Sequence, residues 1–172
     1  TNARLLTQTQ AGTICVRAGA VEGVETNRGR IATRRCIVAA GPYAPTLLRS
    51  FDSAPPVSLI RGQIACFDAD GIPPDHPATI DVDNGSFWRP DKTGARITAP
   101  ADNSKTIATP VDDPEPDADY ATRALASVHQ LCPFWKSVAK TAVARGVQCG
   151  LYSTTPDGLP VIGPMPSISG LF

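Results

Sequence analysis

The amino-acid sequence predicts a mixed α+β fold, in which a β-meander joins an antiparallel sheet that carries one main helix. Three features point there. Over the first fifty residues, short apolar runs alternate with turns containing Gly or Asn. Between 56 and 100 the runs lengthen, alternate apolar with polar positions, and enclose an Asp-Lys-Thr-Gly turn. The stretch from about 118 to 131 has the spacing of the main helix, with acids before it and a proline after it.

The meander is read from "TICV", "AVEGVET" and "RRCIVAAG", strands of about 4–7 residues. "RAGA" and "NRG" join them as hairpin turns in which Gly or Asn supplies positive φ. The last strand, Cys36 to Ala40, is apolar without interruption, which predicts cover on both faces. Ala39, Ala40 and Gly41 then either let a backbone or flat ligand approach closely or form a plain strand-to-helix turn. "PYAPTLL" suits a short helix. The start, "TNARLLTQTQ", enters strand-like sequence at once without an initiator Met, so the chain is expected to begin at the edge of a fragment.

The second part reads as a sheet. "PPVSLIRGQIACFDAD" is a long strand with a break expected at Gly62, and "ATIDVDN" is another. "SFWRPDKTGARITAP" folds as a hairpin at "DKTG", with Phe87 and Arg89 on one face and Trp88 on the other. The acidic "DDPEPD" is an exposed connection rather than a metal site, because nothing fixes its carboxylates. Asp117 or Asp119 can cap the helix, Tyr120, Leu125 and Val128 share a face, and Pro133 ends it. "KSVAKTAVARGVQCGLY" closes as a strand.

Composition removes several classes of function. Sixteen basic residues balance sixteen acidic ones, so no global field draws nucleic acid or an anionic membrane. Five widely spaced cysteines without a C-x-x-C argue against zinc, iron–sulfur or dithiol chemistry and for reduced apolar fillers in the cytoplasm. Two histidines leave little for a metal site or a Ser-His-Asp triad. No apolar run approaches the roughly 20 residues that span a bilayer.

Three segments carry the strongest pattern: "GAVEGVETNRGRIATRRCIVAAGPYAPTLL" (19–48), "PVSLIRGQ" (56–63) and "GLYSTTPDGLPVIGP" (150–164). In this order and spacing they resemble the FAD-dependent amine oxidoreductases of the D-amino-acid oxidase, glycine oxidase and sarcosine oxidase family. The resemblance covers nearly the whole chain but only the middle and later part of a family member. The family's G-x-G-x-x-G unit, which holds the FAD pyrophosphate at a helix N-terminus, has no counterpart here, since Gly19, Gly23 and Gly29 belong to the meander. The resemblance implies a partial FAD-binding domain over 1–54, a substrate-binding sheet over 55–150, and a return segment into the FAD-binding domain over 151–172. That segment is expected to turn at Pro156–Asp157–Gly158, with Asp157 shaping the turn, and to resume as a strand near Val161.

The resemblance also implies site residues. Ala39, Ala40 and Gly41 match the family's small-residue contact with FAD, and Tyr43 follows at a position often aromatic. Arg61 matches an arginine that either orients substrate or holds the sheet. Tyr152 stands where glycine oxidase and D-amino-acid oxidase branches have a carboxylate-clamping Arg and sarcosine-type branches have Tyr. A single phenol gives one hydrogen bond where guanidinium gives two, which leans toward an N-methylated or secondary amine. Phe87 or Trp88, whichever faces inward, lines the amine pocket, and Arg89 offers a second partner for a carboxylate. Cys149 falls one residue before the position at which some sarcosine oxidases attach flavin, and so on the opposite face of its strand.

The function implied is oxidation of the C–N bond of an amino acid or secondary amine by hydride transfer to FAD, with the missing FAD-binding segments supplied in cis or in trans. FAD is not expected to be retained by this piece alone. A non-catalytic binding module and one chain of a split flavoenzyme are the other readings.

Overall fold

The computed structural model describes residues 3–83, 85–100 and 106–172, apart from the side chains of residues 130 and 131. The chain divides into two compact units, Thr1–Ser58 with Ser153–Phe172, and Leu59–Tyr152. It is an α+β fold, mostly antiparallel sheet with few helices.

In the first unit, β1 (Ala11–Arg17), β2 (Ala20–Thr26) and β3 (Gly29–Ala32) form an antiparallel sheet in the order β1-β2-β3. Ala18 and Gly19, at φ 49° and 76°, make the β1–β2 turn; two left-handed residues match the twist of a tight hairpin. Ile14 and Val21 from the sheet pack with Leu48 of α1 (Ala44–Leu48) and with Ile168 and Leu171. The segment bearing those last two docks through backbone bonds: Cys36 N–H to Gly170 O at 2.8 Å, Phe172 N–H to Cys36 O at 2.8 Å, and Val38 N–H to Phe172 O at 2.7 Å.

Cys36 to Ala40 is not the two-faced strand expected. Only Cys36 enters a β-bridge, with Leu171. Cys36 and Val38 pack against the core while Ile37, pointing the other way, is 78% exposed. An apolar run reports tolerance of burial on both faces, and here only one face is packed into the core. Ala3–Gln10 holds no strand, and neither does the segment around Val161.

The second unit is built on β4 (Ser58–Asp68), which runs through Gly62 without the expected break. With β5 (Thr79–Ile80), β6 (Phe87–Asp91), β7 (Gly94–Thr98) and β8 (Thr106–Ile107) it gives the order β5-β6-β7-β4-β8, and β9 (Val143–Thr154) also pairs with β4. The strand expected over 78–84 shrinks to two residues, and its last position, Asn84, lies outside the described residues. α2 (Tyr120–Leu131) and α3 (Trp135–Val138) cover one sheet face. Ala65, Phe67, Trp88, Ala95 and Ile97 meet Tyr120, Ala124, Val128 and Trp135 there.

Residues facing the helices recur every second position along each strand, as the pleat requires. Trp88 stands perpendicular to Trp135 with ring centroids 5.1 Å apart, a favoured aromatic geometry. Tyr120 ties the layers together: its hydroxyl donates to Gln63 O at 2.6 Å and accepts the Ala99 N–H at 3.1 Å. The helix starts two residues later than expected, at Tyr120. Asp119 holds the N-cap position without making a side-chain cap bond, because its carboxylate instead accepts Arg123 Nε at 3.0 Å. Among the described residues, no helix is long and apolar enough to cross a membrane.

Candidate functional site

The sheet of the second unit has a helix-free face, and the alternation of β6 decides what stands on it. Trp88 is fully buried on the helix side, so Phe87 and Arg89 project from the other. Trp88 is therefore a core residue and does not line this face. Arg89 pairs across the strands with Arg96, so two arginines stand opposite each other on neighbouring strands. Like charges opposed in this way repel unless one is compensated. Arg96 is: its Nε donates to Asp91 Oδ2 at 3.1 Å and its Nη1 to Gln148 Oε1 at 3.2 Å.

Asp91 is the anchor of that compensation. Its carboxyl is held down to about 2 by the Lys92 backbone N–H and the Arg96 guanidinium, with Arg145 Nη2 adding a bond at 3.0 Å. Arg145 also reaches Asp68, with Nε 3.0 Å from Oδ1. Arg96 and Arg145 are thus committed, and among the described residues no carboxylate pairs with Arg89, which is exposed.

Tyr152, in β9, shares the helix-free face. Its ring lies on the backbone of Gly62, where a Cβ would run into Cε2 and stand 2.6 Å from Cδ2. The ring is 62% exposed. The fold thus places Tyr152 and Arg89 on one face of one sheet.

Arg61 is on the opposite face, beside α2. Its guanidinium pairs with the Asp117 carboxylate and donates to Glu115 O. Asp117 also accepts Gln63 Nε2 and Arg123 Nη2, each at 3.0 Å. Cys149 is on this side too, its thiol 3.6 Å from Gln63 Oε1 and pushed up by burial.

In the first unit a largely apolar cleft of about 890 Å³ is lined by Ile37, Gly41, Leu48, Val161, Ile162 and Phe172 among others. Gly41, at φ 52°, opens a 3-10 turn (Gly41–Tyr43) that leads directly into α1, and nothing stands within 4 Å of where its Cβ would be. Ala39 is exposed, Ala40 half-buried and Tyr43 40% exposed. A flat apolar group can lie against the bare Gly41 edge, but α1 has five residues and no glycine-rich loop before it to cradle a phosphate.

The turn that brings the chain back to this cleft is shaped as its sequence suggests. Asp157 Oδ1 accepts the Leu159 N–H at 3.1 Å and Gly158 takes φ 70°. That hydrogen bond, with a second from Thr155, lowers the Asp157 pKa. Beyond the turn Val161 and Ile162 are side chains of the cleft wall, the latter 91% exposed. Sequence reasoning passed over the Asp91, Arg96 and Arg145 network; the one local signal was an arginine in each strand of the β6–β7 hairpin, which demands a counter-charge.

Over residues 1–172 the chain matches the family described as FAD dependent oxidoreductase. It is 28% identical over 156 residues to the glycine oxidase of Pseudomonas putida, across 90% of this chain and 39% of that protein. In structure it is similar to L-proline dehydrogenase from P. horikoshii, with a TM-score of 0.80 and 19% identity over 99% of this chain and 44% of that one. Glycine oxidase from Geobacillus kaustophilus gives 0.72 and 19% over 95% and 41%. The chain spans about two-fifths of the length of these relatives. Because the match runs from its first residue to its last, the chain belongs to the FAD dependent oxidoreductase family.

Proposed function

We propose that this chain is part of a flavin-dependent oxidoreductase that oxidises the C–N bond of an amino acid or a secondary, sarcosine-like amine. The observation that carries the proposal is the pair Tyr152 and Arg89 on the helix-free sheet face, a phenol and a cation that meets no carboxylate among the described residues, next to the neutralised Arg96. A carboxylate substrate needs a positive partner and a directional donor, and these residues supply one of each. The glycine oxidase relative is named for an amino acid, which suits the same substrate class.

In this reading the Arg89 guanidinium holds the substrate carboxylate and Tyr152 Oη donates one hydrogen bond to it, while Phe87 gives apolar contact on the same face. Arg61 holds α2 to β4 rather than touching substrate, since its charge is spent on Asp117. Gly41 with Ala39, Ala40 and Tyr43 forms the edge along which FAD lies, and the apolar cleft beside Gly41 offers it apolar contact. FAD, when bound, supplies the acceptor for the hydride leaving the carbon next to nitrogen, and water then hydrolyses the resulting imine. No acid or base from the chain is required. Holding the ADP half of FAD is proposed to need further segments, in cis or in trans, because no G-x-G-x-x-G precedes a helix in this sequence. The five cysteines are free, which suits a reducing compartment such as the cytoplasm.

Anaerobic addition of glycine, sarcosine or proline to the FAD-loaded protein should bleach the visible absorbance of the flavin. Failure of primary and secondary amino acids and simple amines alike to bleach it would sink the proposal.

A further inference from the structure

Gly62 stands in the interior of β4, a position where glycine weakens a strand. Its φ is outside the left-handed region, so the backbone conformation does not call for glycine. The neighbourhood does. A Cβ at this position would collide with the Tyr152 ring at Cε2 and lie 2.6 Å from Cδ2 and 3.1 Å from Cζ. Among the described residues, Gly62 is the only glycine with ring atoms where its Cβ would stand. Gly150, two residues before Tyr152 and on the same face, has nothing within 4 Å.

We propose that Gly62 is a positioning residue for Tyr152: its bare backbone sets the depth and tilt of the ring over the sheet, and so where the phenol oxygen can reach. The ring is 62% exposed, so its outer side is free to move and the seat on Gly62 is what fixes it. A methyl group there lifts the ring into another rotamer while the ladder of β4 stays intact. The consequence for substrate rests on Tyr152 contacting the carboxylate, as proposed above. The seating itself does not.

The test separates the two. 3-Fluorotyrosine labelling gives a fluorine spectrum in which Tyr43, Tyr120 and Tyr152 are each assigned by the resonance lost in the corresponding Tyr→Phe variant. In FAD-loaded Gly62→Ala the Tyr152 resonance should move while those of Tyr43 and Tyr120 stay. KM for an amino-acid substrate should rise about tenfold, with kcat within about twofold, because uniform binding is lost. An unmoved Tyr152 resonance overturns the inference. A moved resonance with unchanged KM keeps Gly62 as the seat and overturns Tyr152 as a substrate contact. If Gly62→Ala alone folds poorly, adding Tyr152→Ala should restore the melting temperature; an equal loss in both backgrounds overturns the seating.

Discussion

Arg61 of β4 and Asp117, two residues ahead of the N-cap of α2, form an ion pair in which neither side chain is more than 24% exposed. The Asp117 carboxylate also takes Gln63 and Arg123, and its own N–H donates to Gln63 Oε1 at 2.8 Å. One carboxylate thus fastens the start of a helix to the strand beneath it. Replacing it strands a half-buried guanidinium and an amide. Asp117→Ala should cost about 2 kcal/mol, lowering the melting temperature by about 4–8 °C. KM for substrate should stay within about twofold, since the lost contact is uniform structural support. A rise in KM of about tenfold or more without loss of stability would give Arg61 the substrate role instead.

Asp91 makes stability depend on acid pH. Its folded pKa is about 2 against an ordinary 3.8, because the Lys92 N–H, Arg96 and Arg145 all favour the anion. Between those values the unfolded chain binds more protons than the folded one, so stability rises with pH. The contribution is complete above about pH 5 and is lost as pH falls through about 2. Asp157, fully solvated in its turn, shifts in the same direction. Melting temperature measured from about pH 5 to 2 should fall steeply in the wild type and less in Asp91→Asn. Parallel curves would remove Asp91 from the account.

What could be read from the sequence was local. The hairpin β6–β7 and the opposite facing of Trp88 and Arg89 follow from period-two alternation, which needs only neighbours in the chain. The return turn at Asp157 and Gly158 is likewise written in three adjacent residues. The docking of Gly170–Phe172 on Cys36–Val38 was invisible, because short parallel pairing between distant segments leaves no periodic trace. β8 and α3, of two and four residues, are too short to show a period. At the site, Arg89 and Tyr152 were legible as residue types. That Asp91 neutralises Arg96 and that Gly62 seats Tyr152 depended on contacts between different strands.

Gly94 tests a tighter constraint than Gly62. A Cβ there would overlap Phe67 O and stand 2.6 Å from Ala69 N and 3.1 Å from Asp68 C, all backbone atoms of the paired strand and its end. Ala69 N–H is itself bonded to Thr93 O at 3.0 Å, so the backbone has little room to give. Gly94→Ala should cost about 1–3 kcal/mol by overpacking. Gly150→Ala, with nothing in reach and no positive φ, should be neutral or stabilise by up to about 1 kcal/mol. Urea denaturation of both variants decides this, and equal midpoints would contradict it.

The substrate role of the helix-free face is tested most directly on Arg89 and Tyr152 together. Both side chains project from one face of the sheet and neither is buried, so truncation should leave the melting temperature within about 1–2 °C. Tyr152→Phe removes one hydrogen bond while keeping the ring on Gly62, and should raise KM for an amino acid about tenfold with kcat largely kept. Arg89→Ala removes the charge and should raise it about 10- to 100-fold. Arg89→Lys should recover part of that loss, because an ammonium keeps the charge but not the planar two-donor fork. An amine without a carboxylate should show no KM change with any of the three variants. A uniform loss across amines and amino acids would mean that these residues support the site's shape rather than hold a carboxylate.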